Sequence, residues 1–172
     1  MEYVLIFLVA LTRILPHPPN VTPVAALALF GGAYLPKRFA LIYPLVIMAL
    51  SDLILNPMLH VPLFIPESLF VYGSFLITGL LGLWCRPRRH LGLLVLASVA
   101  SSIQFYLVTN FGTWLVSGLY PKDMAGLLWC YTMAIPFFRN TLFGNLFWFS
   151  LLWVAYSLAY RLIPLRRART SL

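Results

Sequence analysis

The stretch ESLFVYGSFLITGLLGLWCRPRR, residues 67–89, carries no charge between Glu67 and Arg86 and contains three arginines at its end. Its apolar part has about the length that an α-helix needs to cross the hydrocarbon core of a bilayer, which is roughly 30 Å thick. Similar apolar runs alternate with short basic clusters between Lys37 and Arg161. This alternation is typical of a protein that crosses a membrane several times.

The composition of the whole chain supports the same interpretation. Hydrophobic residues make up 62% of its 172 residues and charged residues 9%, and the mean hydropathy is +0.91. So few charges cannot cover the surface of a soluble globule. Since each span takes roughly 20 residues, the chain has room for about six, and we expect one all-α integral membrane domain over residues 1–172.

The apolar segments predict six transmembrane helices, at about residues 3–15, 22–35, 38–55, 67–83, 91–109 and 141–162. The first helix stops at a proline-rich segment and lacks the basic start and cleavage site of a secretory signal, so we expect it to be retained. Residues 110–140 are too long for a turn and too apolar for a free loop. They predict an extra helix on the outer face, which starts at Pro121 to Asp123 and ends at Pro136.

The basic residues indicate the orientation. Three clusters, at residues 37–38, 86–89 and 161–169, are each separated from the N-terminus by an even number of predicted spans. Six spans with both termini in the cytoplasm place all three clusters on the cytoplasmic side, as the positive-inside rule requires.

Two other classes of protein are disfavoured. The net charge of +8 would suit a nucleic-acid-binding protein, but the basic residues flank membrane segments and do not line a groove with aromatic residues, so no nucleic acid is expected as a partner. Cys85 and Cys130 form no CxxC motif and are predicted at opposite ends of the topology. We therefore expect free thiols and neither a disulfide framework nor a zinc site.

The predicted topology collects single polar side chains on the outer side. A mostly apolar pocket with a few placed polar groups is typical of ligand sites, so this convergence predicts a pocket there. Trp114, Trp129, Phe137 and Phe138 are candidates for its walls. The candidate ligand-binding residues are His17, Asn20, Asp52, Tyr72, Arg139 and Asn140.

Asp52 interrupts an apolar helix, where an unpaired carboxylate costs about 3 kcal/mol. We expect it to pair with Arg13 or Arg139, and the pair would either fix helix packing or present a charge to a ligand. His17, which lies between prolines, is either a loop residue or a ligand contact. No set of residues with metal-binding spacing is predicted.

Small residues on the second and fourth predicted helices would let these helices approach closely. Internal packing is the default interpretation, and a docking surface for another membrane subunit is the alternative. The residues are Ala25, Ala28, Gly32, Gly79 and Gly82.

Two stretches carry a resemblance to an uncharacterised bacterial membrane family: RILPHPPNVTPVAALALFGGA, residues 13–33, and AIPFFRNTLFGN, residues 134–145. Residues 51–53 (SDL) and 70–74 (FVYGS) fit the same pattern. That family in turn resembles the substrate-binding S-components of energy-coupling-factor (ECF) transporters, and in particular the solitary cobalamin transporter type (BtuM). The resemblance implies an S-component-like six-helix bundle in the bacterial inner membrane, with a substrate cavity open to the outer face.

The resemblance also implies that His17, Asp52, Tyr72 and Arg139 contact the ligand and that ECF-type membrane or ATPase subunits dock on the small-residue faces. A corrinoid would be the transported ligand and not a cofactor. The cobalamin type has a cysteine before the tyrosine of helix four that can ligate cobalt, and residues 62–69 contain none. Cobalamin is therefore one candidate among several small vitamins or cofactors.

We accordingly expect a small-molecule uptake protein and not an enzyme. The chain has no GxxxxGK[ST] loop, so a partner would supply any energy from ATP. One alternative is a non-catalytic assembly or sensor subunit that recruits proteins or anionic lipids. The other is an intramembrane enzyme that uses His17 and Asp52 as acid and base, although no GxSxG or HExxH motif is present.

Overall fold

The computed structural model describes residues 7, 11–12, 20–58, 60, 62, 64–88 and 90–169, with side chains described as far as residue 160 except at position 38. Within these ranges every regular element is a helix, which confirms the all-α class. The α-helices are α1 (Val24–Tyr34), α2 (Lys37–Ala40, a single turn), α3 (Ile42–Met58), α4 (Glu67–Cys85), α5 (Leu91–Val116) and α6 (Met124–Arg169). A 3₁₀ turn, Arg86–Arg88, follows α4. The predicted helix at 3–15 lies outside the described residues apart from positions 7, 11 and 12.

Three of the described helices are long and apolar enough to cross a membrane. They are the segments Glu67–Arg88, Leu91–Val116 and Met124–Tyr160, of 22, 26 and 37 residues. In their most apolar windows only 33%, 28% and 22% of the residues are buried inside the protein. Large apolar side chains such as Leu96 and Phe147 therefore face outward. An exposed apolar surface of this extent suits lipid, and it indicates a membrane protein.

The expectation of six spans is not supported. Helix α1 has 11 residues and α3 has 17, which gives lengths of about 16 Å and 25 Å against a hydrocarbon core of roughly 30 Å. The apolar character of α1 has another cause, because every residue from Val24 to Ala33 is buried by other helices. A short helix that is apolar on all sides is typical of a protein core, and hydropathy alone does not distinguish it from a membrane span.

Helix α1 lies at the centre of the bundle and contacts α3, α4, α5 and α6. The contacts along the helices show that α1, α4 and α6 run in one direction and that α3 and α5 run in the other. The central core cluster includes Leu29 and Phe30 from α1, Cys85 from α4, Leu94 from α5 and Phe149 from α6. The short helix therefore holds the longer helices together.

Helices α1 and α4 approach closely at three buried glycines, Gly32, Gly79 and Gly82. A Cβ atom on Gly32 would lie 2.3 Å from Gly79 O, and one on Gly82 would lie 2.3 Å from Leu29 O. Any side chain at these two positions would push the helices apart, as expected of close helix packing. The internal-packing interpretation is thus confirmed for the three glycines, and none of them is free to contact another subunit.

Arg86 satisfies the C-terminal end of α1. Its Nε and Nη2 atoms donate to Gly32 O at 3.1 Å and 2.7 Å, and Nη2 also donates to Leu35 O. The last carbonyl groups of a helix have no partner within the helix, and leaving them unpaired away from water is costly. The sequence predicts Arg86 only as an orientation signal, whereas the structure gives it a second role as a helix cap.

The connection between α5 and α6 corrects the predicted outer-face helix. Residues 110–116 continue α5, residues 117–123 form a short link, and α6 runs without interruption from Met124 through Pro136. The predicted start is confirmed, because Asp123 Oδ1 accepts a hydrogen bond from Gly126 N at 2.7 Å. The predicted end at Pro136 is wrong. A proline forfeits one backbone donor, whereas a complete break in an apolar segment would leave several backbone groups unpaired.

We predict that Gly82→Ala destabilises the protein. The added methyl group overlaps the backbone of α1, and overpacking of this kind costs about 1–3 kcal/mol. The midpoint of thermal unfolding in lipid nanodiscs should fall by roughly 2–10 °C. Gly73→Ala, on the same helix, is the control, because nothing lies within 4 Å of a Cβ atom there. Equal midpoints for the two variants would contradict the close crossing.

We also predict that Arg86→Lys lowers stability by about 1–3 kcal/mol although it preserves the positive charge. A lysine cannot reproduce the fork of donors that reaches two carbonyl groups. Arg88→Lys is the matched control, since the Arg88 side chain is exposed, and it should change stability by less than about 0.5 kcal/mol. Denaturant unfolding followed by tryptophan fluorescence measures both. Equal stability of the two variants would show that Arg86 does not act as a cap.

Candidate functional site

The two ends of the bundle differ in charge and polarity. Lys37 begins α2 just after the end of α1, and Arg86 caps the same end of α1. Near this end the ring centres of Tyr34 on α1 and Tyr156 on α6 are 4.6 Å apart. Residues 161–169 follow Tyr156 and form the end of α6. The structure thus places the described backbone of all three basic clusters at one end. The opposite end, defined by the end of α3, the start of α4 and the α5–α6 link, is the end at which the sequence predicts the ligand site.

A cavity of about 210 Å³ lies toward this second end, between α4, α5 and α6. We call it the outer cavity. Its polar lining comes from Asn20, Tyr106, Thr109, Asn110, Thr113 and Thr141. Its apolar lining comes from Val71, Phe105, Ala134, Phe137 and Phe138. This mixture of apolar walls and a few polar groups is characteristic of small-molecule sites.

A second, smaller space of about 20 Å³ adjoins the outer cavity and shares Asn20, Phe105 and Thr141 with it. This volume is about that of one water molecule. Asn145, which is only 2% exposed, also lines it and donates from Nδ2 to Ser102 Oγ at 2.8 Å. Polar groups therefore continue from the cavity into the bundle.

Asp52 lines a neighbouring cavity of about 170 Å³, which also includes Asn56, Glu67 and Ser68. Val71 lines both this acidic cavity and the outer cavity. Tyr72 donates its hydroxyl to Asp52 Oδ2 at 2.8 Å. Two of the predicted site residues, from helices α3 and α4, are therefore hydrogen-bonded to each other.

The remaining predicted site residues fall in different places. Asn20 lines the outer cavity and has a φ of 64°, a left-handed conformation that asparagine tolerates better than most residues. The Arg139 side chain is exposed and that of Asn140 is half-buried, and neither lines the two cavities. His17 and Arg13 lie outside the described residues. Tyr72 is a partner of Asp52 that the prediction did not include, and the predicted pairing of Asp52 with Arg13 stays a prediction, because Arg13 lies outside the described residues.

Sequence reasoning missed most of the hydroxyl groups that line the outer cavity. Thr109 and Thr113 are one helical turn apart on α5, and Ser98 and Ser102 continue the same spacing toward the basic end. This repeat of small polar residues at helical spacing within an apolar helix is the sequence pattern that could have indicated a polar face on α5. Of the predicted aromatic walls, Phe137 and Phe138 are confirmed. Trp114 instead donates from Nε1 to Pro121 O, and Trp129 packs against Tyr120.

Two larger openings have a different character. One of about 410 Å³ lies at the basic end, and its lining is exposed except for the half-buried Leu93; the other lining residues are Trp84, Pro87, Arg88 and His90. Another of about 570 Å³ runs along the apolar outer face of α6 beside Phe143 and Phe147. The first has mostly exposed walls, and the second faces the surroundings that lipid would fill.

In the described part of the chain, metal-binding and thiol side chains do not line the outer cavity. Among the residues that the structure describes, no three His, Cys, Asp or Glu side chains are grouped in a way that could hold a metal ion. Cys85 is buried in the central core near the basic end. Cys130 is buried between α5 and α6, where its Sγ donates to Asn110 O at 3.4 Å. The described residues therefore give the outer cavity hydroxyl, amide and aromatic groups.

Comparison with known families gives one match over residues 1–166, to the model described as "Family of unknown function (DUF6580)". No curated protein and no solved structure matches the chain. The resemblance to ECF S-components and to the cobalamin type therefore stays a prediction.

We predict that the outer cavity is open to water-soluble reagents. In a protein with Cys85 and Cys130 replaced by alanine, Thr113→Cys should react readily with a charged maleimide in nanodiscs. Ser98→Cys, on the same helix, should react at least about tenfold more slowly, because Ser98 is 1% exposed and its reaction requires local opening. Labelling followed by mass spectrometry measures both rates. Equal labelling rates for the two variants would contradict the prediction that water-soluble reagents reach α5 through the outer cavity and not near Ser98.

Proposed function

We propose that the chain, which belongs to the family of unknown function DUF6580, is a membrane protein that binds a small molecule in the outer cavity and takes part in its uptake. The observation that carries the proposal is the outer cavity itself, in which six polar side chains and four aromatic rings surround a space of about 210 Å³. In a chain with three helices able to span a membrane, polar side chains grouped around one cavity with apolar walls favour a binding role.

The volume of the cavity limits the size of the ligand. Pockets that bury drug-sized molecules usually measure about 300–1,000 Å³, and the outer cavity measures about 210 Å³. A corrinoid is much larger than this space. We therefore propose a smaller ligand, such as a vitamin or a precursor of a cofactor built on one ring.

The charge distribution supports an orientation with the cavity facing outward. Lys37, Arg86 and Arg88 lie at the end opposite the cavity, and basic residues near membrane helices prefer the cytoplasmic side. On this basis we propose that the basic end, with the C-terminal end of α6, faces the cytoplasm of a bacterial cell, and that the cavity opens to the outside of the inner membrane.

We propose binding and transport rather than catalysis. The outer cavity presents hydroxyl, amide and aromatic groups, and the Asp52 carboxylate in the neighbouring cavity is engaged by Tyr72. A transport cycle driven by ATP would need a partner subunit, because the chain has no phosphate-binding loop. Such a partner would dock on surfaces other than Gly32, Gly79 and Gly82, which are buried between α1 and α4.

We predict that gently purified wild-type protein retains a small molecule that mass spectrometry detects, and that Ala134→Phe does not. Ala134 lines the outer cavity and is 7% exposed, so the larger ring would occupy the space. The control is Ile135→Phe, the next residue on α6, whose side chain is 50% exposed and faces away from the core.

A panel of water-soluble vitamins provides a second measurement. A ligand that binds the folded protein stabilises it and so raises its unfolding temperature. At a free concentration of one hundred times Kd the stabilisation is about 2.7 kcal/mol. The wild-type protein and Ile135→Phe should respond to the same compound, and Ala134→Phe should not. A wild-type protein that retains no molecule and responds to none of the panel would refute the proposed function.

A further inference from the structure

We infer that the outer cavity selects a small organic cation, in which one ring carries an amino or amidine group with N–H donors. This inference rests on the proposed binding function and adds the chemical class of the ligand. It follows from which hydrogen-bonding atoms of the lining are already used within the protein and which remain.

The three threonine hydroxyl groups of the lining have used their only hydrogen. Thr109 Oγ1 donates to Phe105 O at 2.7 Å, and Thr113 Oγ1 donates to Thr109 O at 3.1 Å. Thr141 Oγ1 donates to Phe137 O at 3.0 Å. A hydroxyl group has one donor and two acceptor lone pairs. Toward the cavity these oxygens therefore accept hydrogen bonds.

Tyr106 and Asn110 follow the same pattern. Tyr106 donates its hydroxyl to Tyr131 O at 2.6 Å, so its oxygen is left as an acceptor. Asn110 donates from Nδ2 to Tyr106 O at 2.8 Å, which leaves its Oδ1 acceptor and one N–H. Five of the six polar side chains of the lining thus offer mainly acceptor atoms, and Asn20 is the exception.

The electrostatic surroundings agree with this pattern. The described residues that line the outer cavity include no lysine or arginine. Its aromatic walls include Tyr106 and Phe138, whose ring centres are 5.0 Å apart, and aromatic faces attract cations. Beyond Val71, Asp52 and Glu67 line the neighbouring cavity.

A carboxylate or phosphate ligand would meet acceptor atoms and ring faces, and it would have few donors with which to pair. A buried anion without partners is strongly disfavoured. An ammonium or amidinium group would instead place its N–H donors on the hydroxyl and amide oxygens. Hydrogen bonds in which the donor is charged are the stronger kind.

Three probes of similar size that differ in charge test the inference: benzylammonium, benzyl alcohol and benzoate. Saturation-transfer NMR titrations at neutral pH, with the protein in nanodiscs, give a Kd for each. We expect benzylammonium to bind at least about tenfold more tightly than benzoate, with benzyl alcohol in between. Thr109→Val, which keeps the shape but removes an acceptor, should weaken benzylammonium about tenfold.

Thr132→Val is the control for the loss of a hydroxyl group. Thr132 lies on α6 with an exposed side chain that also donates to the carbonyl four residues earlier, at 2.7 Å. This variant should bind benzylammonium as the wild type does.

Two results would overturn the inference. If benzoate binds as tightly as benzylammonium and Ala134→Phe abolishes its binding, the charge preference is wrong and the binding function stands. If none of the probes binds, the inference also fails. Mass spectrometry of the molecule retained by the wild-type protein then tests the proposed binding function independently of the probes.

Discussion

The constraint on which the structure depends is the complete burial of a short central helix. Helix α1 is surrounded by protein, so its neighbours must approach its backbone closely and its end carbonyls must find donors inside the chain. Glycines on both helices meet the first demand at the crossing of α1 and α4, and the Arg86 guanidinium meets the second. Both contacts come from α4 and the 3₁₀ turn that directly follows it, so α4 has a fixed position along α1.

The position of α4 determines the polar end of the bundle. It brings Tyr72 to the level of Asp52 on α3, and it places Val71 between the acidic cavity and the outer cavity. Helices α5 and α6 are joined independently, since Tyr131 donates its hydroxyl to Leu107 O and Tyr106 donates to Tyr131 O. The outer cavity lies where these two units meet. The contacts of α4 with α1 therefore fix one wall of the cavity, and the hydrogen bonds between α5 and α6 fix the others.

The sequence predicted the features that depend on chain order and charge. The helices at 67–83 and 91–109 correspond to α4 and to most of α5, and the basic clusters lie at one end as expected. It did not predict features that depend on three-dimensional neighbours. Hydropathy cannot tell whether protein or lipid surrounds α1, and a local rule about Pro136 cannot weigh the cost of breaking α6. Likewise, Tyr72 lies twenty positions from Asp52 in the sequence, and charge matching gives no reason to expect a neutral hydroxyl group as a partner.

Buried polar groups that lack a hydrogen-bond partner occur on helices α4 and α5. In the part of the chain that the structure describes, Ser74 Oγ, Ser98 Oγ and Gln104 Nε2 are buried without a hydrogen-bond partner, and all three belong to α4 and α5. Each such group costs about 1–3 kcal/mol. The contact of α4 with α1 is close-packed and capped, whereas its contact with α5 leaves polar atoms unsatisfied. Uptake, as proposed, requires the cavity to open toward the basic end at some stage. A movement between α4 and α5 would leave the close α1–α4 crossing and the Arg86 cap intact. It would separate Thr78 Oγ1 from Gln104 Oε1, which lie 3.4 Å apart, and it would bring water to polar atoms that have no partner in the closed bundle.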